Sequence, residues 1–326
     1  MKTLIENFSN QLNEGLEIGK STDITPATTK INNVVISGLG GSGIGGTLVS
    51  QLTSKQSICP IIANNGYSIP EFVGKNTLLI ICSYSGNTEE TISAMNIGIE
   101  KKAEIACITS GGKVLEKAHE FGFNNVVIPG GMPPRSCLGY SLTQLFFLLN
   151  KYGIIDNTYI SEIRNSIGLI KHKQDDIINE AKEIANLLNH KTPVIYASSE
   201  YEGMVVRLRQ QINENSKLLC WHHVFPEMNH NELVGWTDKN ENLAIVLFRD
   251  NDDHPQVKKR MDICKPIFQK YTPNIIEVFS KGTSMTEKTI YFIHLGDWIS
   301  YFLGINRGVD ITEVNVIDYL KSELAK

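Results

Sequence analysis

Short apolar runs rich in β-branched residues recur through this chain, most of them separated by stretches of helical length, and that alternation constrains the fold more than any other feature. In the first half the runs are Asn33 to Ser37, Ile58 to Ala63, Thr77 to Cys82, Glu104 to Thr109 and Asn125 to Ile128. Their hydrophobicity is nearly continuous rather than alternating, as expected of strands covered on both faces in a parallel sheet. Residues 1 to 20 have helical spacing, and Ser141 to Gly153 reads as a buried helix. Ser161 to Asn189 is a long polar helical region that reads as a linker, after which the alternation restarts. Strands are predicted at Pro193 to Ala197, Leu218 to Val224, Asn242 to Phe248 and Asn274 to Phe279, with helices at Met204 to Asn213, His254 to Tyr271 and Ile311 to Ala325. The economical architecture is two α/β halves in tandem, a first domain over 1–155 and a second over 156–326 that includes the helical linker.

With 326 residues, 41% of them hydrophobic, 20% charged and a net charge of -4, the chain can bury a sizeable core and has no basic excess for nucleic acid. No apolar stretch approaches the roughly 20 residues of a membrane span. The cysteines, Cys59, Cys82, Cys107, Cys137, Cys220 and Cys264, are widely spaced and form no CxxC pair, as expected of reduced thiols in a cytoplasmic protein. The amphipathic, acid-containing N-terminus resembles neither a signal peptide nor a transit peptide.

Two loops carry the functional signal. Gly38-Leu-Gly-Gly-Ser-Gly-Ile-Gly-Gly46 follows the first apolar run, and Ser83-Tyr-Ser-Gly-Asn-Thr88 follows the third. Each precedes a helical stretch, so backbone N–H groups and a helix N-terminus would face a phosphate there. The first loop also satisfies the GxGxxG pattern of dinucleotide-binding folds. That reading requires a carboxylate about 20 positions further on, and Ala63-Asn-Asn-Gly66 supplies none, so a nicotinamide-dependent oxidoreductase takes second place. Taken singly, the first loop is also consistent with a tight turn, and the second with a hydroxyl-rich helix cap followed by Glu89 and Glu90. Both loops leave parallel strands at the same edge, where open α/β sheets bind ligands, and this favours a phosphorylated ligand.

A strand followed by GxGxSG, then about 40 residues later a strand followed by SxSGxT, resembles the sugar isomerase (SIS) domain. Pro129-Gly-Gly-Met-Pro-Pro-Arg-Ser136, Asn213-Glu-Asn-Ser-Lys217 and Pro226-Glu-Met-Asn-His-Asn-Glu-Leu-Val-Gly-Trp236 narrow the resemblance to the bifunctional phosphoglucose/phosphomannose isomerases. It implies two tandem Rossmann-like, flavodoxin-like SIS domains. It also implies a cofactor-free aldose–ketose isomerase of carbohydrate metabolism, interconverting glucose 6-phosphate and mannose 6-phosphate with fructose 6-phosphate through a cis-enediol. A non-catalytic SIS module that only binds phosphosugars remains the alternative.

Such chemistry needs a base that moves a proton between C1 and C2, and a group near neutrality to open the ring. From the residues alone, Glu214 reads first as an exposed helix-end glutamate and His230 as a solvated loop histidine, and Arg135 could be a surface ion-pair partner. The resemblance makes Glu214 the proton shuttle, His230 the ring-opening group and Arg135 the stabiliser of the enediolate. It further implies Lys321 near the ring oxygen, Thr312 as a possible epimer determinant, and Gly41, Ser42, Ser83, Ser85 and Thr88 around the substrate's phosphate. It makes the protein a homodimer, with His230 delivered from the neighbouring subunit. No metal is expected: Cys220, His222, His223, Glu227 and His230 lie close together in sequence, but strand alternation puts Cys220 and His222 on one face and His223 on the other. Asp250-Asn-Asp-Asp253 reads as a solvated turn.

Overall fold

The computed structural model describes residues 1–324. These divide into two compact units, one built from residues 6–172 with 282–288, the other from 1–5, 173–281 and the segment from Thr289 on.

In the unit containing the first loops, strands β1 (Asn33–Ser37), β2 (Ile61–Asn64), β3 (Thr77–Ser83), β4 (Glu104–Thr109) and β5 (Asn124–Val127) form a parallel sheet in the order β2-β1-β3-β4-β5. This is the flavodoxin-like order, which reverses direction between β1 and β3. All seven residues of β3, Thr-Leu-Leu-Ile-Ile-Cys-Ser, are buried, as a strand covered on both faces must be. Helix α1 (Lys2–Glu6) belongs almost wholly to the other unit; following α2 (Phe8–Ser21), helices α3 (Gly40–Leu52), α4 (Glu89–Glu100) and α5 (Gly112–Phe121) connect the strands, and α6 (Leu138–Lys151) and α7 (Thr158–His172) follow. Every residue of α6 from Leu138 to Leu149 is buried. Gly15 and Gly19 let α2 lie against it: a Cβ on either would stand 3.0 Å from Thr143 or Phe147. Gln144 Nε2 donates to the Gly15 carbonyl at 2.7 Å, so this close packing leaves the amide nitrogen satisfied.

The other unit repeats the plan with one strand fewer. After α8 (Gln174–Leu188), strands β6 (Thr192–Ser198), β7 (Trp221–Phe225), β8 (Leu243–Arg249) and β9 (Ile275–Phe279) lie parallel in the order β7-β6-β8-β9. Helices α9 (Glu202–Ser216), α10 (Pro255–Phe268), α11 (Met285–Asn306) and α12 (Asn315–Leu324) complete the chain. Tyr196, Phe225, Trp236 and Phe268 form an aromatic cluster on one face of the sheet.

Three differences from the sequence reading have physical causes. The stretch expected as a linker is two amphipathic helices, α7 and α8, which bury Ile163, Ile167 and Ile170, and Ile177, Ile184 and Leu188. Their charges cover the outer faces only, which is why the composition looked like a solvated segment. Helix α11 was not predicted at all, because Ile290 to Leu303 is apolar nearly all round and offers no periodicity. The terminal helix starts at Asn315, and Ala325, the last residue of the expected helix, lies outside the described residues.

His294 of α11 is fully buried, with Nε2 3.0 Å from Gln174 Oε1, and burial pushes its pKa down from 6.5 to about 3. The unfolded chain therefore takes up this proton first, so stability present at neutral pH is lost as the pH falls below about 6.5, with a limiting slope of about 1.4 kcal/mol per pH unit. Urea unfolding of His294→Gln should give a flatter dependence of stability on pH between about 6.5 and 4 than the parent chain shows. Equal slopes would refute this account.

Candidate active site

The loops after β1 and β3 meet at the point where the strand order reverses, the crevice that ligands of open α/β sheets occupy. Backbones come so close there that side chains are excluded. A Cβ on Gly38 would stand 2.7 Å from the Cys82 carbonyl oxygen of the neighbouring strand, and one on Gly43 only 2.4 Å from the Gly38 carbonyl oxygen. The loop thus folds back on itself into the first turn of α3, and Ser42 Oγ accepts a hydrogen bond from Tyr84 N at 3.0 Å, joining the two loops.

The second loop leads into α4, whose Thr88 cap makes no side-chain hydrogen bond to the helix. The Thr88 hydroxyl is therefore not spent on the leading amides of α4. Ser83 Oγ donates to Thr88 Oγ1 at 3.0 Å, and Ser85 Oγ accepts from Asn87 N at 3.2 Å, so three hydroxyls line one short stretch of backbone. Ser83 is buried, whereas Ser85 is exposed. Glu89 and Glu90 in the first turn suit the helix dipole but oppose an anion.

Arg135 sits in the single turn Pro134–Ser136 and is 4% exposed. This turn is pressed onto the first loop: a Cβ on Gly41 would lie 2.9 Å from the Pro134 carbonyl and 3.0 Å from Arg135 N. Met132 N donates to Tyr84 Oη at 3.0 Å, so Tyr84 holds both the Arg135 segment and, through its own N–H, Ser42. A guanidinium cannot shed its proton, so Arg135 keeps a positive charge buried in the turn packed on the first loop. Gly41, Ser42, Ser83, Ser85, Thr88 and Arg135 are thus gathered in one unit by three interlocked turns.

A fourth turn, missed in the sequence, supports them. Ser110 Oγ and Ser110 N both donate to the Tyr84 carbonyl, at 2.6 and 3.0 Å. Gly86 and Gly112 let the two turns touch, since a Cβ on Gly86 would stand 1.7 Å from the Gly111 carbonyl oxygen and one on Gly112 2.5 Å from that of Ser85. The signal was present in Ser110-Gly-Gly112 after the fourth apolar run.

The remaining expected residues belong to the other unit. Glu214 is half-buried in the last turn of α9, and His230 is exposed in a short turn after β7. Lys321 lies on α12, which buries none of its described residues, and Thr312 is exposed just before that helix. The switch point of this second sheet is chemically unlike the first. The acidic run expected as a solvated turn is a turn whose middle residues, Asn251 and Asp252, are exposed, but its end acids are buried, Asp250 at 5% and Asp253 at 3% exposed. Asp250 accepts from Tyr201 Oη at 2.5 Å and from Ser280 Oγ at 2.9 Å, and Asp253 Oδ2 accepts from Asp250 N at 2.9 Å. Carboxylates fill the place that glycines and hydroxyls hold in the first sheet, and they would repel a phosphate.

A bifunctional phosphoglucose/phosphomannose isomerase of Caldicellulosiruptor bescii is 37% identical over 99% of this chain and 98% of its own length. One of Aquifex aeolicus is 35% identical over 99% of this chain and 98% of its own. This chain belongs to the bifunctional phosphoglucose/phosphomannose isomerase family. Residues 177–324 match the family model described as the bacterial phospho-glucose isomerase C-terminal SIS domain, a span that includes Glu214, His230 and Lys321. The fold is also that of the C-terminal domain of glucosamine-fructose-6-phosphate aminotransferase from Francisella tularensis, with a TM-score of 0.77 at 14% identity over 95% of this chain and 97% of that one. Both sheets of this family member are SIS-type parallel sheets, and only the first carries the hydroxyl loops.

Gly86 has φ +69°, which L side chains rarely adopt, besides its contact with Gly111. Gly86→Ala should lower unfolding stability by at least about 2 kcal/mol in urea titrations. Stability within about 0.5 kcal/mol of the parent would contradict the close approach.

Proposed function

We propose that this chain interconverts fructose 6-phosphate with glucose 6-phosphate and mannose 6-phosphate by moving a proton between C1 and C2 through a cis-enediol. The observation that carries this reading is the cradle at the first switch point, in a chain whose near full-length relatives bear that activity in their names. The phosphate is held by the hydroxyls of Ser42, Ser83, Ser85 and Thr88 and by the leading amides of α4, with Gly41 giving the backbone room to approach. Arg135 stabilises charge on the enediolate oxygen, and its burial keeps water from screening that charge. Glu214 carries the proton between the two carbons, a task suited to a carboxylate that need not leave its helix turn.

His230 opens the ring by exchanging protons with the ring oxygen and the C1 hydroxyl. Its exposure in a turn beyond β7 supports delivery to the site of a neighbouring copy in a homodimer. Lys321 assists at the ring oxygen, an assignment that rests on the resemblance and on its exposed place on α12. The reaction calls on no cofactor, and the enzyme works in the cytoplasm.

A coupled assay with each of the three sugar phosphates tests the reading. Glu214→Gln should lower kcat by about 10²- to 10⁴-fold while still binding substrate. Full turnover in that variant would remove Glu214 from the mechanism, and binding without turnover in the parent chain would make the protein a phosphosugar sensor. Mixing Glu214→Gln with His230→Asn tests the shared site. If subunits exchange, half the mixed dimers' sites regain an intact pair, and activity should return to about a quarter of the parent value. No recovery in dimers shown to have exchanged would put His230 in its own subunit's site.

A further inference from the structure

The turn of α9 that carries Glu214 is held more tightly than helix formation requires. On either side of Glu214, Asn215 Nδ2 donates to Ser300 Oγ at 3.0 Å and Ser216 Oγ donates to the Ser300 carbonyl at 2.7 Å. Both residues are fully buried against α11, and a Cβ on Gly304 would stand 2.7 Å from the Asn215 carbonyl oxygen. Arg307, just past the end of α11, donates from Nε to the Ser216 carbonyl at 2.9 Å. These contacts fix the helix end to its neighbour.

Lys217 does something different. It closes α9 at φ 52°, ψ 41°, the left-handed conformation in which helices commonly end and which glycine adopts without strain. The Lys217 side chain turns back over the last turn and donates from Nζ to the Glu214 carbonyl at 2.5 Å and the Glu313 carbonyl at 2.8 Å, with Glu313 Oε1 3.4 Å away. An ammonium has three donors, and three acceptors surround this one. It is thereby committed as a strut between the Glu214 residue and the segment ahead of α12. That segment is itself rigid: Asp310 Oδ1 accepts from Thr312 N at 2.7 Å and from Glu313 N at 3.3 Å.

We propose that Lys217 is a positioning residue for Glu214: its ammonium anchors the carbonyl of the proton-carrying residue to Glu313, so that the C-terminal segment sets where the carboxylate stands. The inference rests on the assignment of Glu214 as proton carrier. A carboxylate that must reach two adjacent carbons in one bound pose tolerates little drift, and displacement by about 1 Å costs on the order of 10²-fold in rate.

Glycine makes the decisive variant, because Lys217→Gly leaves the helix end in a conformation glycine prefers while removing the ammonium. Its melting temperature should equal or exceed that of the parent chain, its KM for fructose 6-phosphate should change less than about threefold, and its kcat should fall about 10- to 100-fold. Lys217→Arg, which restores a donor of similar reach, should recover most of the lost kcat. A parent-like kcat in Lys217→Gly, or a loss confined to KM, overturns the proposal, as does a lost kcat that arginine fails to restore. If the glycine variant melts below the assay temperature, Lys217→Met read by the same division of kcat and KM decides the matter. Glu214→Gln, measured in parallel, separates the two readings. Its full activity defeats the Glu214 assignment, whereas an inactive Glu214→Gln beside a fully active Lys217→Gly defeats the strut alone.

Discussion

Close backbone approach at the carboxyl ends of β1 and β3 is the constraint on which the rest of the cradle depends. Neighbouring parallel strands whose chains turn away in opposite directions leave a crevice. Here it is narrowed until only hydrogen atoms fit at Gly38, Gly43 and Gly86. Backbone amides and small hydroxyls then line the opening, and Tyr84 ties the second loop, to which it belongs, to the first loop through its N–H, to the Ser110 turn through its carbonyl and to the Arg135 turn through its phenol. Burial pushes that phenol's pKa up, so it stays protonated beside the site. A cradle of this kind grips an anion by geometry, which explains how a chain with a net charge of -4 can accommodate a phosphorylated ligand.

The two sheets share a strand order and differ in what fills the switch point. In the second sheet Asp250 and Asp253 are buried and bonded to Tyr201, Ser280 and each other's backbone, a plug that stabilises the strand ends and offers no seat for phosphate. Freed from that task, the second unit devotes the end of α9 and the turn beyond β7 to the residues assigned to proton transfer and ring opening. The strength of its α9–α11 seam is consistent with this role. The buried pair Arg207–Asp297 at 2.8 Å, joined by Gln211 at 2.9 Å, continues the row that Asn215 and Ser300 begin. Breaking one member of such a buried pair leaves an uncompensated charge, so the row favours one helix register over its alternatives.

The strands were legible in the sequence because nearly continuous apolar runs leave few options, and all nine were anticipated at or within a few residues of their positions. The hydroxyl loops were legible because so many glycines and small hydroxyls have few other uses. Helix α11 was illegible because total burial erases the amphipathic period, and the polar region before β6 misled because charges on one face of α7 and α8 dominate their composition. The buried acids failed for a related reason: a run such as Asp-Asn-Asp-Asp looks solvated until a tyrosine and a serine from elsewhere in the chain are known to meet it.

By itself the sequence determined the fold class, the number of sheets and the composition of the two glycine and hydroxyl loops, since those depend on patterns of neighbours along the chain. Tertiary structure alone decided that Tyr84 and Ser110 brace the cradle, that Gly41 carries the Arg135 turn, and that Lys217 joins the end of α9 to Glu313. Each of these contacts joins residues whose roles depend on where an ammonium, a phenol or a bare Cα arrives in space, and no local pattern along the chain encodes that arrival.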